Sequence, residues 1–197
     1  MISLRLRSKA FGDQTVLGAF ELQVAAGDRV AILGPSGVGK STLLRILAGL
    51  DSQFDGDITR PERMAMVFQE PTLLPWRSVA DNLRLATGAS RDTVVQSLED
   101  VGLADHLDKY PGQMSLGQQR RVALARALTA RPELLLLDEP FASLDADTAI
   151  GMRGLVGELI LDRDIGVVLV THDRSDAAAI DATPLRLSGI PATLEAV

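Results

Sequence analysis

The sequence contains no cysteine, so disulfides, thiolate metal sites and cysteine nucleophiles are excluded, a composition that fits a reducing compartment. Histidine is nearly as scarce, with only His106 and His172 present, too few for a multi-histidine metal centre. Aromatic residues make up 4%, with Trp76 the sole tryptophan and Tyr110 the sole tyrosine. Positive charge is in deficit: 20 Lys and Arg against 26 Asp and Glu give a formal net charge of −6. That is the wrong sign for holding a nucleic-acid backbone by counterion release, and no nucleic acid is expected as the main partner. Apolar runs are short. Leu134 to Leu137 and Ile165 to Val170 fall far below the ~20 residues that span a bilayer. Met1 to Arg7 alternates apolar and polar residues like a strand and lacks the apolar centre of a signal peptide, so a cytoplasmic location is expected.

What is present is ordinary globular material. At 197 residues, 46% apolar and 23% charged, the chain has the size of one compact domain and buries roughly 70% of its unfolded surface without needing staples. Period-two alternation predicts strands over 2–7 and about 15–24, joined by a turn at Phe11-Gly12-Asp13, which makes an antiparallel edge. A β-branched run at 28–33 leads into a glycine loop and then a helix over 40–50. A buried strand at 64–68 is followed by the prolines Pro71 and Pro75 and by helical patterns over 78–86, 90–101 and 115–130. Strand-length apolar runs return at 134–138 and 165–171 around a helix over 146–163, as a parallel sheet buried on both faces requires. The expected architecture is an α/β core of residues 1–70 and 132–197, of P-loop type with a mixed sheet and an antiparallel β edge. A helical lobe of residues 71–131 is inserted into it.

Gly34-Pro35-Ser36-Gly37-Val38-Gly39-Lys40-Ser41 fits G-x-x-x-x-G-K-[ST] in full, between a predicted strand and a predicted helix. The glycines let backbone N–H groups converge on phosphates, and the helix start adds its positive dipole end. Lys40 is expected to reach the β/γ-phosphates and Ser41 to ligand Mg²⁺. Leu134-Leu135-Leu136-Leu137-Asp138-Glu139 places two acids where a buried strand ends. Asp138 can there hold Mg²⁺ through water, and Glu139 can orient and deprotonate an attacking water.

Met114-Ser115-Leu116-Gly117-Gln118, followed by Gln119 to Ala127, resembles the signature sequence of ABC ATPases, the nucleotide-binding subunits of ABC transporters. The other motifs fall in the family's order across nearly the whole chain. Phe11 resembles the aromatic that stacks on adenine, Gln69 the Q-loop glutamine, Ser143-Leu144-Asp145 the D-loop, and His172 the switch histidine that assists Glu139. The resemblance implies that ATP is held by Phe11, by residues 34–42 (Gly34, Pro35, Ser36, Gly37, Val38, Gly39, Lys40, Ser41 and Thr42) and by Gln69. It also implies that Gln69 joins Ser41 and Asp138 at Mg²⁺. The resemblance further implies that the signature residues Ser115, Gly117 and Gln118 serve the nucleotide of the opposite subunit, that Asp145 of the D-loop binds nucleotide, and that two chains pair head to tail. Plainer readings stand beside these: Ser115 and Gln118 form a helix capping box, Asp145 an N-cap, His172 a solvated or capping residue, and Phe11 a turn aromatic. His106 is read as a surface or satisfied residue without a role. Leu116 stands where the usual signature has the first of two glycines, so its backbone must avoid conformations that only glycine tolerates easily.

Phe68 to Trp76 and Leu103 to Pro111 resemble the nitrate, sulfonate, taurine and thiamine-precursor group of importer ATPases. The resemblance implies a peripheral subunit at the cytoplasmic face of the cell membrane. Its partners are membrane permease subunits and, indirectly, a solute-binding protein. Trp76 is either an anchor for a coupling helix of the permease or a core residue of the lobe. The chain is expected to end where the core ends, without a C-terminal regulatory domain. The alternatives are a soluble non-transport ABC-type ATPase, an exporter ATPase, and a small-metabolite kinase. A kinase leaves the signature, D-loop and switch histidine unexplained.

Overall fold

The computed structural model describes residues 1–161 and 163–197. Among the described residues, ten strands form one sheet in the order β3-β1-β2-β10-β9-β4-β8-β7-β6, with β5 also paired to β1. The strands are β1 (Ile2–Phe11), β2 (Gln14–Leu17), β3 (Phe20–Val24), β4 (Arg29–Leu33), β5 (Asp55–Thr59), β6 (Met64–Val67), β7 (Leu134–Asp138), β8 (Gly166–Thr171), β9 (Thr183–Gly189) and β10 (Ala192–Ala196). The helices are α1 (Lys40–Leu47), α2 (Val79–Thr87), α3 (Arg91–Asp100), α4 (Leu116–Thr129), α5 (Ala146–Leu161) and α6 (Arg174–Ala179).

Strands β6, β7, β8, β4 and β9 run parallel, and β1 pairs antiparallel with β2, β3 and β5. The parallel strands alternate between two buried faces, as the period of two dictates. Leu134, Leu136, Val168 and Val170 join an apolar cluster with α1 and the antiparallel strands. Leu135, Leu137, Val167 and Leu169 join another with α4 and α5. A third cluster unites Val79 and Leu83 of α2, Val94 and Leu98 of α3, and Val122 and Ala125 of α4. Helix α4 therefore packs in two directions at once, toward the other helices and, through Ala123, Leu124, Ala127 and Leu128, toward the sheet.

The structure refines several expected elements. The strand predicted over 15–24 breaks at Gly18-Ala19, because β2 and β3 occupy different stretches of β1 and a Cβ at Gly18 would press within 3.2 Å of Thr193 Cγ2. The helix predicted over 40–50 ends at Leu47, where the chain turns through Gly49 in the left-handed region. The helix predicted over 146–163 is seen to Leu161, and its expected course through residue 162 lies outside the described residues. Strands β5, β9 and β10 and the short helix α6 were not expected.

Candidate functional site

Register assembles the site. Leu33 pairs with Thr171, Asp138 with Val170, and Val67 with Leu137, so the segments after β4, β6, β7 and β8 all emerge at one carboxyl edge. Open α/β sheets bind ligands at this edge. It receives the glycine loop, Gln69, the Asp138-Glu139 pair and His172.

The loop's glycines are required by contact and by backbone. A Cβ at Gly34 would lie 2.7 Å from the Leu187 carbonyl oxygen, and Gly39, at φ 112°, would place one 2.7 Å from Leu17 Cδ2. Gly39 caps α1 without any side-chain bond, so the N–H groups of the first turn point to the loop's interior with no protein side chain to satisfy them. Lys40 is 4% exposed. Its ammonium donates to the carbonyls of Gly34 at 2.9 Å and Pro35 at 3.0 Å and sits 3.2 Å from Glu139 Oε1.

Ser41 Oγ donates to Asp138 Oδ1 at 3.1 Å. Burial pushes the Asp138 carboxyl above the usual range; the Ser41 bond opposes that rise and the Glu139 charge adds to it. A hydroxyl and a carboxylate so close beside a phosphate loop are the hard oxygen donors that suit Mg²⁺. Glu139 adopts φ 44°, a left-handed backbone that costs a non-glycine residue about 1–3 kcal/mol and concentrates at functional sites. Its N–H donates to the Val170 carbonyl at 3.0 Å, and its Oε2 lies 3.4 Å from His172 Nδ1. His172 is 57% exposed at the side chain, so its imidazole is open to solvent.

Phe11, Ser36, Gly37, Gly39, Lys40, Ser41, Thr42, Gln69 and Glu139 line one cavity of about 500 Å³, an adequate volume for a nucleotide. Phe11 is 55% exposed, with the Lys9 ammonium 4.4 Å from its ring centroid, so one ring face is held by a cation. Pro35 and Val38 line the adjoining groove. Ser115, Gly117, Gln118 and Asp145 are absent from the lining of both cavities. They meet one another instead. Ser115 and Gln118 form a reciprocal capping box at the start of α4, and a Cβ on Gly117 would strike Thr148 Cγ2 at 2.8 Å. The Thr148 N–H in turn donates to Asp145 Oδ1 at 3.0 Å, an N-cap on α5 that lowers the Asp145 pKa. Leu116 enters α4 with ordinary helical backbone, so the missing glycine imposes no strain.

Some residues carry more than sequence reasoning assigned. His106, expected to be a surface or satisfied residue without a role, places Nε2 3.3 Å from Gln118 Nε2, while its buried Nδ1 has no partner among the described residues. Arg120 of α4 donates to the carbonyls of Gln69 and Pro140, each at 3.4 Å, and Arg126 donates to those of Pro71 and Thr72. Arg153 of α5 bonds Asp173 and Asp176 in the turn that follows His172. A positive residue on a helix gives no sequence signal for such reach. Trp76 is 69% exposed, which removes the reading of it as a lobe core residue.

Comparison with known proteins agrees with this geometry. The family described as ABC transporter matches residues 17–142. The aliphatic sulfonates import ATP-binding protein SsuB of Yersinia pestis is 47% identical over 188 residues, covering 91% of this chain and 69% of that protein. SsuB of Granulibacter bethesdensis is 48% identical over 179 residues, covering 90% and 75%. Among solved structures, an inward-facing ABC transporter of metal-chelate type matches with a TM-score of 0.84 at 26% identity, over 99% of this chain and 82% of that one. A dimeric ATP-binding cassette in a post-hydrolysis state, bound to ADP and Pi, matches at 0.80 and 28% identity, over 95% and 94%. The chain belongs to the ABC transporter family, as an ATP-binding cassette with ATPase chemistry. No helix of the described residues is long and apolar enough to cross a membrane.

Proposed function

We propose that the chain is the ATP-hydrolysing motor of an importer for a small solute of the sulfonate type, acting through permease subunits at the cytoplasmic face of the membrane. The cargo class follows the relatives, which are named for aliphatic sulfonate import. The observation that carries the motor reading is the meeting of Lys40, Ser41, Asp138, Glu139 and His172 at one sheet edge, while the signature residues Ser115 and Gln118 cap a separate helix, α4. One chain thus holds two half-sites. A head-to-tail pair of chains, each presenting Ser115, Gly117, Gln118 and Asp145 to the other's phosphate loop, completes both.

In this reading Phe11 stacks on the base, and the N–H groups of residues 34–42 cradle the phosphates. The triphosphate competes with the Gly34 and Pro35 carbonyls and with Glu139 for the Lys40 ammonium. Its arrival therefore releases the Glu139 carboxylate to take a proton from water, with His172 alongside. Ser41, Asp138 and Gln69 are the residues to hold Mg²⁺, which when bound offsets charge on the transferring phosphoryl group. Residues 71–131 act as a lobe on a core of residues 1–70 and 132–197. Arg120 and Arg126 tie that lobe to the Gln69 segment, so lobe rotation and nucleotide state move together. Trp76, exposed beyond Gln69, faces the permease.

The test is ATP-dependent pairing. The Glu139→Gln chain is expected to dimerise on adding MgATP and to hold unhydrolysed ATP, and a chain that stays monomeric with ATP bound would overturn the composite site. Loss of labelled alkanesulfonate uptake on deleting the gene tests the cargo.

A further inference from the structure

We infer that Arg153 is a positioning residue for hydrolysis, holding the His172 loop and the Glu139 loop in one arrangement from the flank of α5. The inference rests on the reading of Glu139 and His172 above and adds a residue that reading does not use.

His172 has little of its own to fix it. Its side chain is more than half exposed, and its nearest charged neighbour is Glu139 at 3.4 Å. The residues on either side of it are fixed firmly. Thr171 Oγ1 donates to buried Asp176, and the same oxygen accepts from the Asp173 N–H at 3.1 Å. Asp173 Oδ1 accepts from the Ser175 N–H at 2.8 Å, so Asp173 caps α6. Arg153 spans this turn. Its Nε donates to Asp176 Oδ1 at 2.7 Å and its Nη2 to Asp173 Oδ2 at 2.9 Å. The guanidinium fork thus grips the carboxylates one and four residues after His172, a two-point contact that a lysine ammonium cannot reproduce as a planar unit. The guanidinium carbon lies 5.8 Å from the ring centroid of Phe141, within cation–π range. Phe141 is buried two residues after Glu139. One cation therefore touches the segments that carry both hydrolytic side chains. It does so from α5, whose first turn is capped by Asp145.

The arrangement separates positioning from binding, because Arg153 lines neither the nucleotide cavity nor the groove beside it. Removing the clamp should loosen the His172–Glu139 geometry and slow the chemical step without weakening nucleotide capture. Arg153→Met alone leaves two carboxylates without their cation. The variant that isolates the clamp is therefore Arg153→Met combined with Asp173→Asn and Asp176→Asn, in which the amide oxygens still accept from Ser175 and Thr171 and no charge is stranded.

Steady-state turnover, ATP affinity and the thermal midpoint are measured on the purified full chain, with Glu139→Gln as the reference for lost chemistry. The expected result for the triple variant is a kcat lower by roughly 10- to 100-fold, with ATP affinity within about twofold of the parent and a cooperative unfolding transition. Arg153→Lys, keeping one ion pair, falls between. A folded triple variant with parental kcat overturns the clamp while leaving Glu139 in place, provided Glu139→Gln is inactive. Parallel losses of kcat, affinity and cooperativity also overturn it, since they mark a merely structural residue. If Glu139→Gln turns over like the parent, the assignment of the hydrolytic pair fails, and this inference fails with it.

Discussion

Two buried lysines with different surroundings make an instructive pair. Lys9, in the antiparallel region, is 1% exposed, and Lys40, at the carboxyl edge of the parallel strands, is 4% exposed. Lys9 is closed off: its ammonium meets both oxygens of Asp51, at 2.9 and 2.7 Å, and the Gln53 carbonyl at 2.7 Å. That bond from Lys9 holds the Asp51 carboxyl below its usual range. Around Lys40 the ledger is open. One ammonium faces Glu139 directly, with the Asp138 carboxyl close behind, and burial holds Asp138 above its usual range. A completed ion pair fixes a loop; a carboxyl that burial holds above its usual range leaves room for a cationic partner.

Breaking the open arrangement should have the largest effect. Glu139→Gln is expected to reduce phosphate release by about 10²–10⁴-fold while equilibrium nucleotide binding persists, and normal release would remove Glu139 from the role of base. The closed arrangement should answer in stability. Lys9→Met leaves Asp51 without its partner and is expected to lower the unfolding free energy by about 3 kcal/mol in a urea titration. Adding Asp51→Asn should recover most of that loss; no recovery would mean that the Lys9 stem, and not the ion pair, does the stabilising.

The two aspartates sharpen the contrast through pH. Because Asp51 binds its proton more weakly in the folded state, its stabilisation is fully present above the usual carboxylate pKa and fades as pH falls through the lowered folded value. Asp138, whose folded pKa is raised, costs stability at neutral pH and stops doing so as acid protonates it. In thermal unfolding without divalent ions, Asp138→Asn should therefore raise the midpoint at pH 7 but not at pH 3. Asp51→Asn should lower it at pH 7 and lose its effect in acid. Equal responses would erase the distinction. The smallest effect belongs to an exposed pair, Arg5–Glu21 at 2.7 Å, where Arg5→Gln should cost about 0–1 kcal/mol and less in salt.

The open arrangement was legible in the sequence and the closed one was not, for a physical reason. Glycines, a lysine and acids at fixed spacing after apolar strands are the pattern of a phosphate-binding loop, and the parallel runs that align them are continuous. Lys9 sits in a strand whose alternation buries Ile2, Leu4 and Leu6; the same phase would leave Lys9 outside. A pairing irregularity between Leu6 and Ser8 shifts that phase and turns Lys9 inward. Bulges leave no compositional mark. Strand β5, with Asp55 and Asp57 outward, and the mixed sequences of β9 and β10 are too polar to read as strands without their neighbours. The arginines of α4 and α5 were visible as helix charges, but where a long side chain ends is decided by tertiary packing.

Helix α4 has a consequence for how two copies would communicate. Its 14 residues make a rod of about 21 Å, with Ser115 at the tip and Arg120 and Arg126 along the shaft bonded to the Gln69 to Thr72 segment and to Pro140. In a head-to-tail pair the tip would read one nucleotide and the shaft the other. Neither chain then owns a private site, and occupancy of one would be felt at its neighbour as a displacement of shared scaffolding. The two rods of such a pair would form a circuit, whose gain is set by how differently nucleotide binds its two arrangements.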